Sequence, residues 1–480
     1  CGRILNLLFC GICLSRGIHE SFHKCFLSFC FLLCSFYSNL CSSFLTTLYR
    51  NYNLSCLNSS LNYFCYFLVA CCSCNLICSL FLAACSGGGE TKVAKLEAIP
   101  LGVAFENQTE LKTSDCFKKI RYVALETTDS CLVGQGAYAT ILNDWIVVTS
   151  GRDRCQLFDK KTGRFIRSVG HVGEDPEGYS NVHGGWQNPY TGQLSFHGWK
   201  NEIVVYGADG RFDHIWTPSV FADEFPAMGV FDYLDADLIA GYYSATDSLP
   251  ARIALFRGDE IVRVESLPVG QEGDKAITPD DIVSISVLKD GGDGLAFIKY
   301  KDGRSAIYPL GNSCFWHAGK DLYFRQSYND TIYRVSAAKE LQPVRVLDLG
   351  VYSWSYNERF EDKKDAIYPT KFMENEDVIL FRFMTNVYND KQKTYNALYR
   401  KADGAVRVSP LDDKITDDTN GFLPLQPVSV SASGEFAAIL PSEEVVSWFE
   451  DNTGETDIPA EVAALKKVGE EDNPVVVIME

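Results

Sequence analysis

Between His171 and Trp186 the chain reads HVGEDPEGYSNVHGGW. This run sets two imidazoles (His171, His183), three carboxylates (Glu174, Asp175, Glu177) and two large rings (Tyr179, Trp186) within sixteen residues. Imidazoles and carboxylates that meet at one point can hold a divalent metal or move a proton, and rings beside them can stack on a sugar face or a peptide side chain. These seven residues are the candidate ligand-binding set, with His197, His214, Trp199 and Trp216 following nearby. Tyr190, Tyr352 and Trp354 join Tyr179 and Trp186 as aromatics expected at the surface. No chemistry beyond binding is specified. There is no G-x-S-x-G turn, no H-E-x-x-H and no paired C-x-x-C in the chain after residue 89, so no catalytic residue, metal or cofactor is assigned. The oxygen-rich stretches Asp290–Gly294 and Asp417–Gly421 supply fewer than the six or more ligands calcium requires and read as turns.

The elements that must position this set are hairpins. LFDKKTGRFIRSV (157–169) recurs in looser form as VVYGADGRFDHIW (204–216), IALFRGDEIVRV (253–264), FIKYKDGRSAIYPL (297–310) and ALYRKADGAVRV (397–408). Each copy is an apolar run, a polar turn with glycine and a second alternating run, the pattern of two antiparallel strands. The turn glycines Gly163, Gly210, Gly258 and Gly303 lie 47, 48 and 45 residues apart. That period, with several short strands in each repeat, predicts an all-β propeller, whereas a sandwich needs no fixed period. Blades are expected at about 137–169, 181–216, 229–266, 282–310, 313–349 and 368–408. Lys118–Glu126 then completes a last blade with Gly421–Leu440. Strict counting gives seven blades. Helices are expected at Ser442–Phe449 and Pro459–Val468, and this tail, with its short closing strand, is expected on the propeller's outside or base.

Composition divides the chain near residue 89. The whole carries a net charge of −18, yet residues 1–89 are slightly basic, so the remainder is strongly acidic and unsuited to nucleic acid or an anionic membrane surface. Fourteen of the eighteen cysteines lie at or before Cys85, among Phe, Leu, Ser, Tyr and Asn and without regular spacing. Much of the first sixty residues reads as over-extended translation of T-rich DNA or a fragment with a misassigned start, the competing reading being a transmembrane hairpin whose apolar runs are broken by polar residues. Phe64–Cys85 is an apolar stretch ending in small residues, as a secretory segment does. The domain reading is therefore 1–85 for over-extended translation and signal segment, 86–117 for tether and lead-in, 118–440 for the propeller, and 441–480 for a helical tail with a closing strand.

Leu82-Ala83-Ala84-Cys85 resembles the lipobox of bacterial lipoproteins, which implies lipidation of Cys85. Val123-Ala124-Leu125-Glu126, Leu157-Phe158-Asp159, the loop Gly170–Tyr179, Asp330-Thr331-Ile332-Tyr333, Thr416–Pro424 and Asp472-Asn473-Pro474-Val475 together resemble the six-bladed β-propeller lipoproteins of Bacteroidetes-type bacteria, related in shape to NHL and TolB-like propellers. The loop departs from that pattern, with Glu174-Asp175-Pro176 where Gly-Pro is expected. The resemblance implies six blades and a lipid anchor in a Gram-negative envelope, at the outer membrane. The expected role is non-enzymatic binding or scaffolding of a glycan, peptide or envelope protein by a monomer. The alternative is a hydrolase or lyase with a metal or carboxylate/histidine site at the central axis.

Overall fold

The computed structural model describes residues 96–183, 185–200, 202–217, 229–245, 249–269, 281–290, 293–310, 314–454 and 457–480. The apolar segment 64–85 and Cys85 lie outside them. Lys95–Glu480 forms one compact unit, and none of its described helices is long and apolar enough to cross a membrane.

Six antiparallel sheets follow one another along the chain. The first comprises Tyr138–Leu142, Trp145–Ser150, Arg154–Asp159 and Phe165–Ser168; the second, Trp186–Gln187, Leu194–His197, Ile203–Tyr206 and Phe212–Trp216; the third, Val230–Tyr233, Leu238–Tyr243, Arg252–Arg257 and Glu260–Ser266. The fourth is Phe315–Ala318, Asp321–Phe324, Thr331–Val335 and Gln342–Leu347, and the fifth is Tyr368–Glu374, Val378–Thr385, Lys393–Arg400 and Ala405–Pro410. The sixth draws on both ends of the domain: Pro427–Val430, Phe436–Leu440, Val475–Met479 and, outermost, Ile120–Ala124. The tail strand thus lies inside a sheet, between Phe436–Leu440 and Ile120–Ala124, and not on the outside or base expected of the tail. Its five residues are all apolar and buried, the composition of a strand covered on both faces.

Glycine fixes the hairpin turns as the repeat implied. Gly163, Gly210, Gly258, Gly303 and Gly404 all have positive φ. At Gly163 (φ +72°) a Cβ would also stand 2.0 Å from the Ala124 carbonyl oxygen, so this turn of the first sheet packs against the sixth only because the side chain is absent.

Each sheet buries a face against the next. Leu157 and Val147 of the first sheet meet Phe196 and Tyr206 of the second. Ile203 and Trp216 then meet Phe231 and Phe256 of the third, and Ile253 and Leu255 meet Phe315 and Phe324 of the fourth. Trp316 and Ile332 meet Phe372 and Phe381 of the fifth, and Leu380 and Leu398 meet Phe436 and Val477 of the sixth. The sixth returns to the first through Val476 and Ile478 against Ile141 and Ile146. Succession therefore closes on itself, each sheet burying apolar side chains against the next.

Two expectations are corrected here. Ile282–Leu310 is a three-stranded sheet (Ile282–Asp290, Asp293–Tyr300, Ser305–Leu310) placed outside this succession. It packs Leu295 and Ile307 on Trp354, Tyr368 and Met384. Its regular glycine spacing reflects a hairpin, not a member of the ring. The lead-in is also structured from residue 96. Glu97–Ile99 adds in parallel to Gln342–Leu347, and helix Leu101–Glu106 buries Leu101 and Ala104 between the fourth and fifth sheets.

Cys116, Cys131, Cys155 and Cys314 are buried, and among the described residues they form no disulfide. Burial, helped at Cys116 by the Asp115 charge, pushes the thiols of Cys116 and Cys155 up to about 12. Since the thiolate is the reactive form, alkylation of these two at neutral pH is expected to run at least about a thousandfold slower in the folded protein than in urea. Peptide-resolved mass spectrometry after timed labelling checks this, and equal rates in both conditions would refute it.

Candidate functional site

Each of the six sheets places its first strand around one cavity of about 200 Å³. The lining takes Tyr138 and Thr140 from the first sheet, Trp186 and Gln187 from the second and Asp232 from the third. The fourth gives Phe315, Trp316 and His317, the fifth Lys371, Phe372 and Met373, and the sixth Ser429 and Val430. Two prolines help to aim the polar members. Pro369 and Pro427 each precede a register shift in their strand, and the residues resuming the ladder after it are Lys371 and Ser429. A bulge that turns a side chain toward a site is a recurrent use of this irregularity.

The polar groups sit in an aromatic frame. Trp316 stacks on Phe372 with centroids 4.5 Å apart, and Phe372 stacks on Phe381 at 5.3 Å. The Trp316 indole N–H donates to Glu374 Oε2 at 2.8 Å. Trp186 stacks on Phe231 at 5.9 Å. Lys371 Nζ lies 4.9 Å from the centre of the Tyr138 ring, within cation–π range. His317 Nε2 is 3.0 Å from Asp232 Oδ1, an oxygen that also accepts the Tyr233 backbone N–H at 2.7 Å. Both side chains of that pair are almost enclosed. Asp232 thus favours the tautomer with the proton on Nε2, and among the described residues His317 Nδ1, Trp186 Nε1 and Gln187 Nε2 have no hydrogen-bond partner. An ammonium, two N–H donor groups and a carboxylate-held imidazole beside flat rings can hold a small polar molecule that offers acceptors and one apolar face.

Residues 96–480 match the family described as Domain of unknown function (DUF4934). The chain belongs to the DUF4934 family. No curated protein matches it by sequence. Among solved structures, this DUF4934 chain is similar to a protein of Bacteroides fragilis NCTC 9343 described as a "putative exported protein", with 15% identity and a TM-score of 0.49 over 78% of this chain and 97% of that one. It is also similar to a member of the DUF4221 family from Bacteroides vulgatus ATCC 8482, with 10% identity and a TM-score of 0.39 over 78% and 98%. A third likeness is to the β-propeller domain of Cps50 (Swd1) from Myceliophteria thermophila, with 10% identity and a TM-score of 0.33 over 75% and 100%.

Of the seven candidates from the sequence, the DUF4934 fold brings only Trp186 to the cavity. His171, Glu174, Asp175 and Glu177 lie on an exposed loop. There His171 Nε2 and Asp175 Oδ2 pair at 2.7 Å, and the His171 hydrogen bond holds the Asp175 carboxyl below its usual range. His171 and Glu177 border a separate open hollow with Arg211 and Phe212. Tyr179 is fully buried, its hydroxyl donating to the carbonyls of Asp153 and Val169 at 3.1 and 3.2 Å, so it staples this loop to the first sheet. His183 is half-buried and does not line the cavity. Trp186 and Trp354 are also buried, contrary to the surface placement expected of them, because their rings fill the seams between sheets.

The turn Asp417–Gly421 is structural. Asp417 accepts from the Thr113 and Tyr122 hydroxyls and from the backbone N–H groups of Thr419 and Asn420, and Asp418 accepts from Ser114. Its carboxylate oxygens tie the two ends of the domain together. Asp290–Gly294 falls partly outside the described residues. Among the described residues no cluster of three metal-ligating side chains occurs.

Asp232, His317, Lys371, Gln187, Tyr138 and Trp316 were not found from the sequence. The available signal was a charge inside an otherwise apolar first strand, as in VFDY (230–233) and YPTKFME (368–374).

Proposed function

We propose that this chain is a six-bladed β-propeller of the bacterial cell envelope, tethered through Cys85, that binds a glycan, a peptide or an exposed loop of an envelope protein at its central cavity. The observation carrying this reading is the convergence of six first strands on one cavity that holds Lys371, the Asp232–His317 pair and donor groups of Trp186 and Gln187. Carboxylate- or hydroxyl-bearing ligands match that inventory, and the stacked rings suit a sugar face. The anchor rests on Leu82–Cys85 and the Ser/Gly stretch after it.

A thermal-shift and calorimetric screen of neutral sugars, uronic acids and short peptides tests the reading. One class is expected to bind, and Lys371→Met to weaken that binding about ten- to a hundredfold, the worth of a charge-assisted hydrogen bond. A screen without a binder, or a Lys371→Met protein that binds as well as wild type, would remove the cavity's role.

A second reading, hydrolysis or elimination, is favoured by one feature. An imidazole whose Nε2 proton is held by a carboxylate has its other nitrogen available as a base, and Asp232 and His317 stand in that relation inside the cavity. Turnover of any bound member of the panel, lost in His317→Asn while binding persists, would select this reading over the first.

A further inference from the structure

The inserted sheet presents an edge with a self-complementary sequence. Its outermost strand, Ile282–Asp290, pairs with Asp293–Tyr300 on one side, and among the described residues no strand pairs with its other side. Val283, Ile285 and Val287 are 64%, 57% and 51% exposed. Across the sheet, Ile285 stands beside Ile298 and Val287 beside Ala296, which neighbours Tyr308, itself 39% exposed. The opposite face carries Leu295 and Ile307 into the body of the protein. A nine-residue strand with an open ladder and an apolar outward row is the feature that soluble proteins ordinarily blunt or cover.

From 281 to 289 the chain reads DIVSISVLK, which is nearly the same in both directions. Laid antiparallel on a second copy with Ile285 at the centre, Ile285 meets Ile285, Ser284 meets Ser286, Val283 meets Val287 and Ile282 meets Leu288. Such pairing is two-fold symmetric and closes after two subunits, so it yields a dimer and not a fibre. It satisfies both open ladders and sets the two apolar rows side by side. Any other partner would need its own matching strand, whereas this one carries its complement.

We propose that residues 281–289 form a homodimer interface in which this strand pairs antiparallel with its copy, centred on Ile285. The monomer expected from sequence is then the dissociated form. Sedimentation equilibrium of the full chain in mild detergent, across a concentration series, provides the test. Wild type is expected to dimerise reversibly. Ile285→Lys, which sets two lysines face to face at the centre, is expected to be monomeric with an unchanged far-ultraviolet circular-dichroism spectrum. Val283→Lys should weaken the dimer by about tenfold, since each lysine then faces Val287 of the other copy, and the double exchange Val283→Lys with Val287→Glu should restore it. A wild type that stays monomeric throughout would overturn the proposal. So would a dimer indifferent to Ile285→Lys, or a double exchange that fails to recover.

Discussion

A chain ending at Pro474 is expected not to fold. The missing strand, Val475–Met479, is the central partner of both Phe436–Leu440 and Ile120–Ala124, so its loss opens two ladders at once. All five side chains are at most 1% exposed. At about 1.5–3 kcal/mol each, their burial is worth on the order of 8–15 kcal/mol, as much as the whole stability of an ordinary domain. The residues just before the strand add to the lock. Asn473 is buried, its amide donates to the carbonyls of Glu126 (2.6 Å) and Cys131 (2.8 Å), and its oxygen accepts the Val133 N–H at 2.8 Å. The truncated protein should lack a cooperative melt by circular dichroism and be digested by trypsin under conditions that wild type survives. A truncated chain melting within a few degrees of wild type would show that the ring does not depend on this strand.

That strand also marks where the sequence was legible and where it was misread. Five consecutive apolar residues are the signature of a strand buried on both faces, but they do not say which two strands flank it. The hairpin grammar around Gly163, Gly210, Gly258 and Gly404 was readable because a positive-φ turn between alternating runs is a local property. Gly303 obeyed the same local rule in a sheet with a different place in the architecture, and nothing local distinguishes the two cases. Closure by Lys118–Glu126 was legible for a different reason: a lone strand before the first repeat needs a partner.

The cavity was far less readable. Its second-sheet contribution is a strand of only two residues, Trp186–Gln187, too short to show alternation. Lys371 and Ser429 owe their direction to bulges after Pro369 and Pro427, which change the face a side chain takes. Asp232 and His317 come together across 85 residues. The loop holding His171, Glu174, Asp175 and Glu177 attracted attention because its charges are adjacent in sequence, yet that adjacency leaves the loop free to satisfy itself, as His171 and Asp175 do.

Replacing Glu374 by alanine is expected to cost about 3–5 kcal/mol, the usual penalty for removing one member of a buried ion pair and stranding the other. Glu374 is fully buried, with Arg345 Nη1 at 2.9 Å and Lys401 Nζ at 2.7 Å from its Oε1, contacts of charge more than of aligned hydrogen bonds. Arg345 continues to Glu97 at 2.7 Å, and Glu97 accepts from the Tyr399 hydroxyl. One carboxylate thus compensates two cations and, through Arg345, helps to hold the parallel strand Glu97–Ile99 on the fourth sheet. For a body of this size the loss corresponds to a fall of about 4–6 °C in melting temperature. Acid should produce a related effect. Burial alone would raise the Glu97 carboxyl, but the Tyr399 and Arg345 hydrogen bonds outweigh it and hold it below its ordinary 4.5. A depressed carboxyl contributes its stabilisation fully above its unfolded value and loses it as pH falls through the folded one, so the docking of Glu97–Ile99 should loosen below about pH 4.5. Glu374 also accepts the indole N–H of Trp316, a wall of the cavity. Glu374→Ala should therefore shift tryptophan emission and weaken whatever ligand the screen finds, whereas Glu374→Gln, which can still accept from the indole, should keep the emission while losing most of the stability. A loss under 1 kcal/mol in the alanine variant, or equal emission changes in both, would show that Glu374 neither balances the two cations nor sets the ring that faces the ligand.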